Sequence, residues 1–169
     1  MTIHRIAVLM LASSAAFAFD AQSELLANLA DTEKKIVSLA EAMPAEKYSW
    51  RPMEGVRSVG EVYMHIAGAN YMIPAALGAK VPAGITRDMD KTVTDKAKIM
   101  EHLKQSFAHA RQAIESSTDN TKATKLFGRD NTHGGVKLLI ITHLHEHLGQ
   151  SIAYARTNKV TPPWSAGRD

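Results

Sequence analysis

The chain has 169 residues, 45% hydrophobic and 22% charged, enough for one globular domain with a core and too few for two. Its formal charge is +3 and its basic residues are scattered, Lys34-Lys35 being the only adjacent pair, so no basic stripe interleaved with aromatics points to nucleic acid. The absence of cysteine removes disulfides, zinc fingers, iron–sulfur clusters, covalent c-type haem and lipoprotein anchoring, and leaves His, Asp and Glu to hold any metal.

The N-terminus reads as an export signal. Met1 to Arg5 carries one positive charge, Ile6 to Phe17 is apolar or small, and Ala16-Phe17-Ala18 fits a small-x-small cleavage site. The apolar run is shorter than the roughly 20 residues of a spanning helix, so no stable membrane insertion is expected after its removal. This divides the chain into residues 1–18, a signal peptide, and 19–169, a single domain that is exported to the periplasm or secreted. A fraying extension of the first helix is the plainer alternative.

A first helix is expected from about Ala21 to Met43, where Leu25, Leu29, Ile36, Ala40 and Met43 recur at helical spacings and Pro44 stops the run. Tyr48 and Trp50 in the following connection read as lids over a bundle end. A second helix opens at Ser58, which has capping-box spacing to Glu61. Its apolar face carries Val62, Ile66, Ala69, Met72, Ile73 and Ala76, with His65 on the same face, and Gly78 ends it.

A third helix runs from near Thr94 to about Ser117 on the stripe Ile99, Leu103, Phe107, Ala110 and Ile114, flanked by the surface or boundary histidines His102 and His109. The fourth runs from about Thr132 to near Asn158. One face collects Val136, Leu139, Ile140, His143, His147, Gln150 and Tyr154; the opposite side carries Ile141, Leu148 and Ile152. A helix apolar on two sides is buried on two sides, either by a dimer partner or by the chain's own connections. The tail with Pro162, Pro163 and Trp164 cannot continue the helix and is expected to fold back. No stretch alternates long enough to be read as a strand. The fold class is therefore all-α, four helices joined by long connections.

The segment His143-Leu144-His145-Glu146-His147 carries the chemical signal. Residues four apart on a helix stand about 40° apart around the axis, so His143 and His147 point the same way, while His145 faces nearly opposite, to the surface. A third ligand must come from elsewhere, and His65 is the best candidate, since it too lies mid-helix on an apolar face. Lone buried imidazoles are costly, and one shared ion satisfies all three; three core histidines, each bonded to a carbonyl or hydroxyl, is the plain alternative. The metalloprotease pattern H-E-x-x-H does not apply, because Leu144 follows the first histidine. Three neutral imidazoles suit zinc first, and nickel or ferrous iron as well, and leave an open coordination position. Glu146 and Glu61 are each either partners of these histidines or, respectively, a solvated residue and a cap.

On these residues the chain resembles the DinB-like (YfiT-like) metalloenzyme superfamily. The resemblance spans about Ser23 to Trp164. It rests on Trp50-Arg51-Pro52, on Ser58-Val59-Gly60-Glu61 through His65-Ile66-Ala67, on His143 to Gln150, and on Pro162-Pro163-Trp164. The most specific part is His147-Leu148-Gly149-Gln150, four residues after His143. The resemblance implies a four-helix bundle with long connections, a metal held at His65, His143 and His147, and frequent dimerisation. Some relatives are transferases or isomerases that use low-molecular-weight thiols. Two functions follow as expectations. One is a metal-dependent transferase or hydrolase acting on a small molecule, with Gln150 or Tyr154 hydrogen-bonding near the ion. The other is a non-catalytic metal-binding or stress-response module. A haem-binding bundle is a third and weaker expectation.

Overall fold

In the computed structural model the described residues are 20–167, so the signal reading of residues 1–18 lies outside them. Four long helices form where the periodicity places them. Helix α1 (Ala21–Ala42) starts at Asp20, whose carboxylate accepts from the Gln22 and Ser23 amides, and stops two residues before Pro44. Helix α2 (Val59–Met72) starts at the expected Ser58–Glu61 capping box, with both reciprocal bonds made. It tightens into a 3-10 turn at Ile73–Leu77 that ends on Gly78 in the left-handed region, a conformation glycine adopts without strain.

A single-turn helix, α3 (Met89–Thr92), sits in the connection and was not expected from the periodicity. Helix α4 (Lys96–Ser116) is capped by Asp95, which accepts from the Lys98 amide, rather than by Thr94. Helix α5 (His133–Thr157) is bounded by Thr132 and Asn158, as expected.

The expectation of no strand is corrected. An antiparallel hairpin of β1 (Ala123–Leu126) and β2 (Arg129–Thr132) precedes α5, in the register Ala123↔Thr132 to Leu126↔Arg129. Each strand has four residues, none of them buried, so neither needs the apolar alternation that marks a longer strand. The Thr124 hydroxyl donates to the Ala76 carbonyl at 2.8 Å and fastens the hairpin to the end of the α2 segment.

Helix packing pairs α2 with α4 and α5, and α1 with α4 and α5. Consecutive helices α1 and α2 therefore lie diagonally, as do α4 and α5. The core is continuous and includes Leu29, Ile36, Ile66, Leu103, Phe107, Val136 and Leu144. The second apolar side of α5 lies toward α1. Ile141 and Leu148 are buried within this one chain, Ile152 packs against the core, and His145 beside them reaches Asn28 and Thr32 of α1. That side is covered without a partner chain. Tyr48 is buried, its hydroxyl donating to the Ala40 carbonyl, and Trp164 in the folded-back tail packs on the core as expected.

Lys137 departs from the pattern of exposed charge, with no accessible surface. Its ammonium donates to Gln22 Oε1 at 2.7 Å, Asn120 Oδ1 at 2.8 Å and the Ser117 carbonyl, which closes the C-terminal end of α4 onto α1 and α5. Three acceptors match the three donors of an ammonium, the condition for burying one. Beside it Ser117 Oγ and His133 Nδ1 share a bond of 2.7 Å. No described helix is long and apolar enough to cross a membrane.

Candidate metal centre

Because α2 and α5 are neighbours, the half-turns that carry His65 and the His143/His147 pair face each other. The three imidazoles converge: their candidate ligand atoms all lie within 4.8 Å of one another. Ring centroids are 5.0 Å apart for His65 and His143, 4.7 Å for His65 and His147, and 4.4 Å for His143 and His147. His143 Nε2 stands 3.1 Å from His65 Nε2. Two imidazole nitrogens on one tetrahedral zinc stand roughly 3.3 Å apart, given bonds of about 2.0–2.1 Å, so the spacing of this pair fits a shared ion. The structure thus brings together the three histidines that helical spacing and apolar position single out.

His147 is held in one tautomer by a directed chain. Its Nδ1–H donates to Gln150 Oε1 at 2.8 Å; Gln150 Nε2 donates to the Tyr154 hydroxyl at 3.1 Å; that hydroxyl donates to the Arg57 carbonyl at 3.2 Å. The chain ends on an acceptor that cannot donate, which fixes the direction of every link, so that in the neutral imidazole it is Nε2 that carries the lone pair. Outer partners of this kind orient metal-binding histidines. Trp50 packs edge-on against Tyr154, with centroids 5.3 Å apart and planes at 84°. The expected lid residue thus braces the far end of the chain.

Electrostatics favour neutral imidazoles. Burial pushes His143 down to about 3 from 6.5, with the neighbouring His147, His65 and Arg57 adding to the effect. His65 is pushed down to about 4, again mainly by burial and then by Arg57, with Asp90 acting the other way. A neutral imidazole is the ligating form.

The other candidates resolve differently. Glu61 is occupied by the Ser58 amide at 2.6 Å and by Lys91 and Arg51 at 3.0 and 3.3 Å, so it serves as the cap. Glu146 and His145 are exposed. His102 and His109 flank Tyr71 on the other side of α2 and stay at the boundary. Sequence reasoning missed Arg57 and Asp90. Arg57 supplies the terminal carbonyl of the chain while its Nε donates to Asp90 at 3.2 Å, and Asp90 is delivered by the unexpected helix α3. Neither residue lies on a periodic face, so the sequence carried no signal for them.

The four-helix bundle matches a known architecture. The family model of the DinB superfamily matches residues 28–151, and the chain belongs to that superfamily. A solved DinB-like protein from Bacillus cereus superposes with a TM-score of 0.73 at 21% identity, covering 83% of this chain and 95% of that one. A DinB-like protein from Bacillus subtilis, YjoA, superposes with a TM-score of 0.63 at 20% identity, covering 82% and 93%. At such identities the likeness is one of fold. No curated protein matches the chain.

Proposed function

We propose that the protein binds one divalent metal ion through His65, His143 and His147, with zinc favoured and nickel or ferrous iron also suited to three imidazoles, and that it acts on a small molecule as a metal-dependent transferase or hydrolase. The observation that carries this is the convergence of three imidazoles on two packed helices, one of them oriented by Gln150. When bound, such an ion supplies Lewis acidity and an open position for a small ligand. The chain's own groups do the rest: Gln150 and Tyr154 hold the orientation of His147, and burial keeps His65 and His143 unprotonated.

A second reading has a specific observation behind it. Among the described residues no Asp or Glu lines the cavity beside the histidines, and the nearby Asp90 is held by Arg57, so no free carboxylate stands there as a general base. This favours a non-catalytic module in which the ion ties α2 to α5. Export of the mature domain to the periplasm or outside the cell, and pairing into a homodimer, belong to the same proposal; N-terminal sequencing of the exported protein and its mass in solution test them.

The deciding experiment is metal content of tag-free protein beside His65→Ala, His143→Ala and His147→Ala. About one ion per chain, lost in each variant, is expected. A wild type that takes up neither zinc nor nickel overturns the proposal. With the ion established, turnover of thiol-transfer or hydrolysis substrates that disappears in His143→Ala separates the enzyme from the module.

A further inference from the structure

The histidine cluster opens onto a cavity of about 920 Å³, whose lining includes His65 and His143. Pockets for small ligands span roughly 300–1,000 Å³. Its walls are divided by chemistry. Met72 of α2 and Leu139 of α5 give an apolar floor, backed by the fully buried Met64. Three cations, Arg57, Arg87 and Lys125, also line it, and among the described residues no Asp or Glu does. Arg57 is paired with Asp90. Arg87 makes no ion pair among the described residues, and Lys125 has only a 3.6 Å contact with the exposed Asp130. The field inside the cavity is therefore positive before any ion is added.

The hairpin tip supplies the second observation. Phe127 is 79% exposed and sits at φ 51°, with Gly128 at φ 77°. Two such residues between paired strands form the turn that favours Asn-Gly, and a large aromatic at its first position is strained. Phe127 adds nothing to the core, yet it lines the cavity. A strained, solvent-facing aromatic over a pocket is explained by what it grips.

We infer that this cavity takes a small molecule with an apolar body and an anionic head, the body lying against the methionine floor and Phe127 and the head held by Arg87 and Lys125. The inference deepens the metal-site reading and rests on it for placing the reacting end of the ligand. Opposite charge on the cavity wall selects against a cationic head, and a body too short to reach the floor forfeits apolar contact.

The test is calorimetric binding of octanoate, acetate and octylammonium to the zinc-treated protein, with zinc content measured on the same samples. Octanoate is expected to bind at least about tenfold more tightly than either other probe, a difference easily resolved in Kd. Arg87→Glu and Phe127→Asn should each weaken octanoate about tenfold. Phe127→Asn, which suits the left-handed turn, should also raise the melting temperature, an effect a structural role for the phenyl ring would reverse. Equal binding of octanoate and octylammonium, or octanoate binding unchanged in both variants, overturns the inference. One zinc per chain without charge selection overturns it and leaves the metal site standing. Charge-selective octanoate binding without zinc uptake supports the cavity and overturns the metal reading.

Discussion

His147 Nδ1 donates to Gln150 Oε1 at 2.8 Å, one turn further along the same helix. This bond sets which nitrogen of His147 faces His65 and His143. Gln150→Leu removes the acceptor and lets the imidazole rotate or change tautomer. Loss of such an outer partner costs about 10- to 100-fold in metal affinity. Competition with a chromophoric chelator should show that loss for Gln150→Leu, while Gln150→Glu, which keeps the acceptor, stays within a few-fold of wild type. Unchanged affinity in Gln150→Leu would assign the bond to packing alone.

Zinc should stabilise the fold by mass action, since three histidines from two helices converge only when the bundle is formed. An ion that binds only the folded state adds about 2.7 kcal/mol at a hundredfold excess over its Kd. A raised melting temperature with zinc is expected in the wild type and absent in His143→Ala. An equal rise in both proteins would mean that zinc binds elsewhere.

The metal-free protein should lose stability in acid. His143 and His65 have folded-state values of about 3 and about 4, below the 6.5 of a free imidazole. The unfolded chain therefore takes up protons first as the pH falls. Their contribution is complete above about pH 6.5 and is lost as pH falls toward 4 and then 3. Urea midpoints of chelator-treated protein should drop between pH 7 and pH 4.5, and drop less in a His65→Gln, His143→Gln double variant. Parallel curves for the two proteins would remove these histidines as the cause.

Lys137→Met replaces a buried ammonium by an isosteric apolar chain and leaves Gln22, Asn120 and the Ser117 carbonyl without their donor. Hydrogen bonds to charged groups contribute roughly 1.5–3 kcal/mol, and a loss of that order in unfolding free energy is expected. Metal affinity should hardly change, because this clasp closes the α4 end and makes no bond to the three histidines. Full stability in Lys137→Met would show that the acceptors find water at no cost.

The four long helices were legible because each must bury a stripe, and a stripe on a helix repeats at the helical period. Their ends were legible where a side chain satisfies a free amide, as Ser58 and Thr132 do. The cap of α4 fell one residue from the expected Thr94, because Asp95 competes for the same amides. The hairpin, with four-residue exposed strands, and the single turn of α3 bury too little to leave a pattern. Lys137 was opaque for a related reason: its partners come from α1, the α4 end and the loop beyond, all distant in sequence except through the fold.

The sequence by itself determined the spacing of His143 and His147 and their common direction, which follow from the rise and turn of one helix. It also determined that His145 points away from that pair, while its contacts with Asn28 and Thr32 of α1 came only with the fold. Only the tertiary structure decided that α2 lies beside α5 while α1 lies diagonal to α2. Amphipathic stripes specify that helices pack, and the same stripes permit more than one order around a bundle. Choosing the order that seats α2 on α5 brings His65 Nε2 to 3.1 Å from His143 Nε2. It also sets Tyr154 against the Arg57 carbonyl and hangs Phe127 over the cavity, contacts between residues that no local spacing connects.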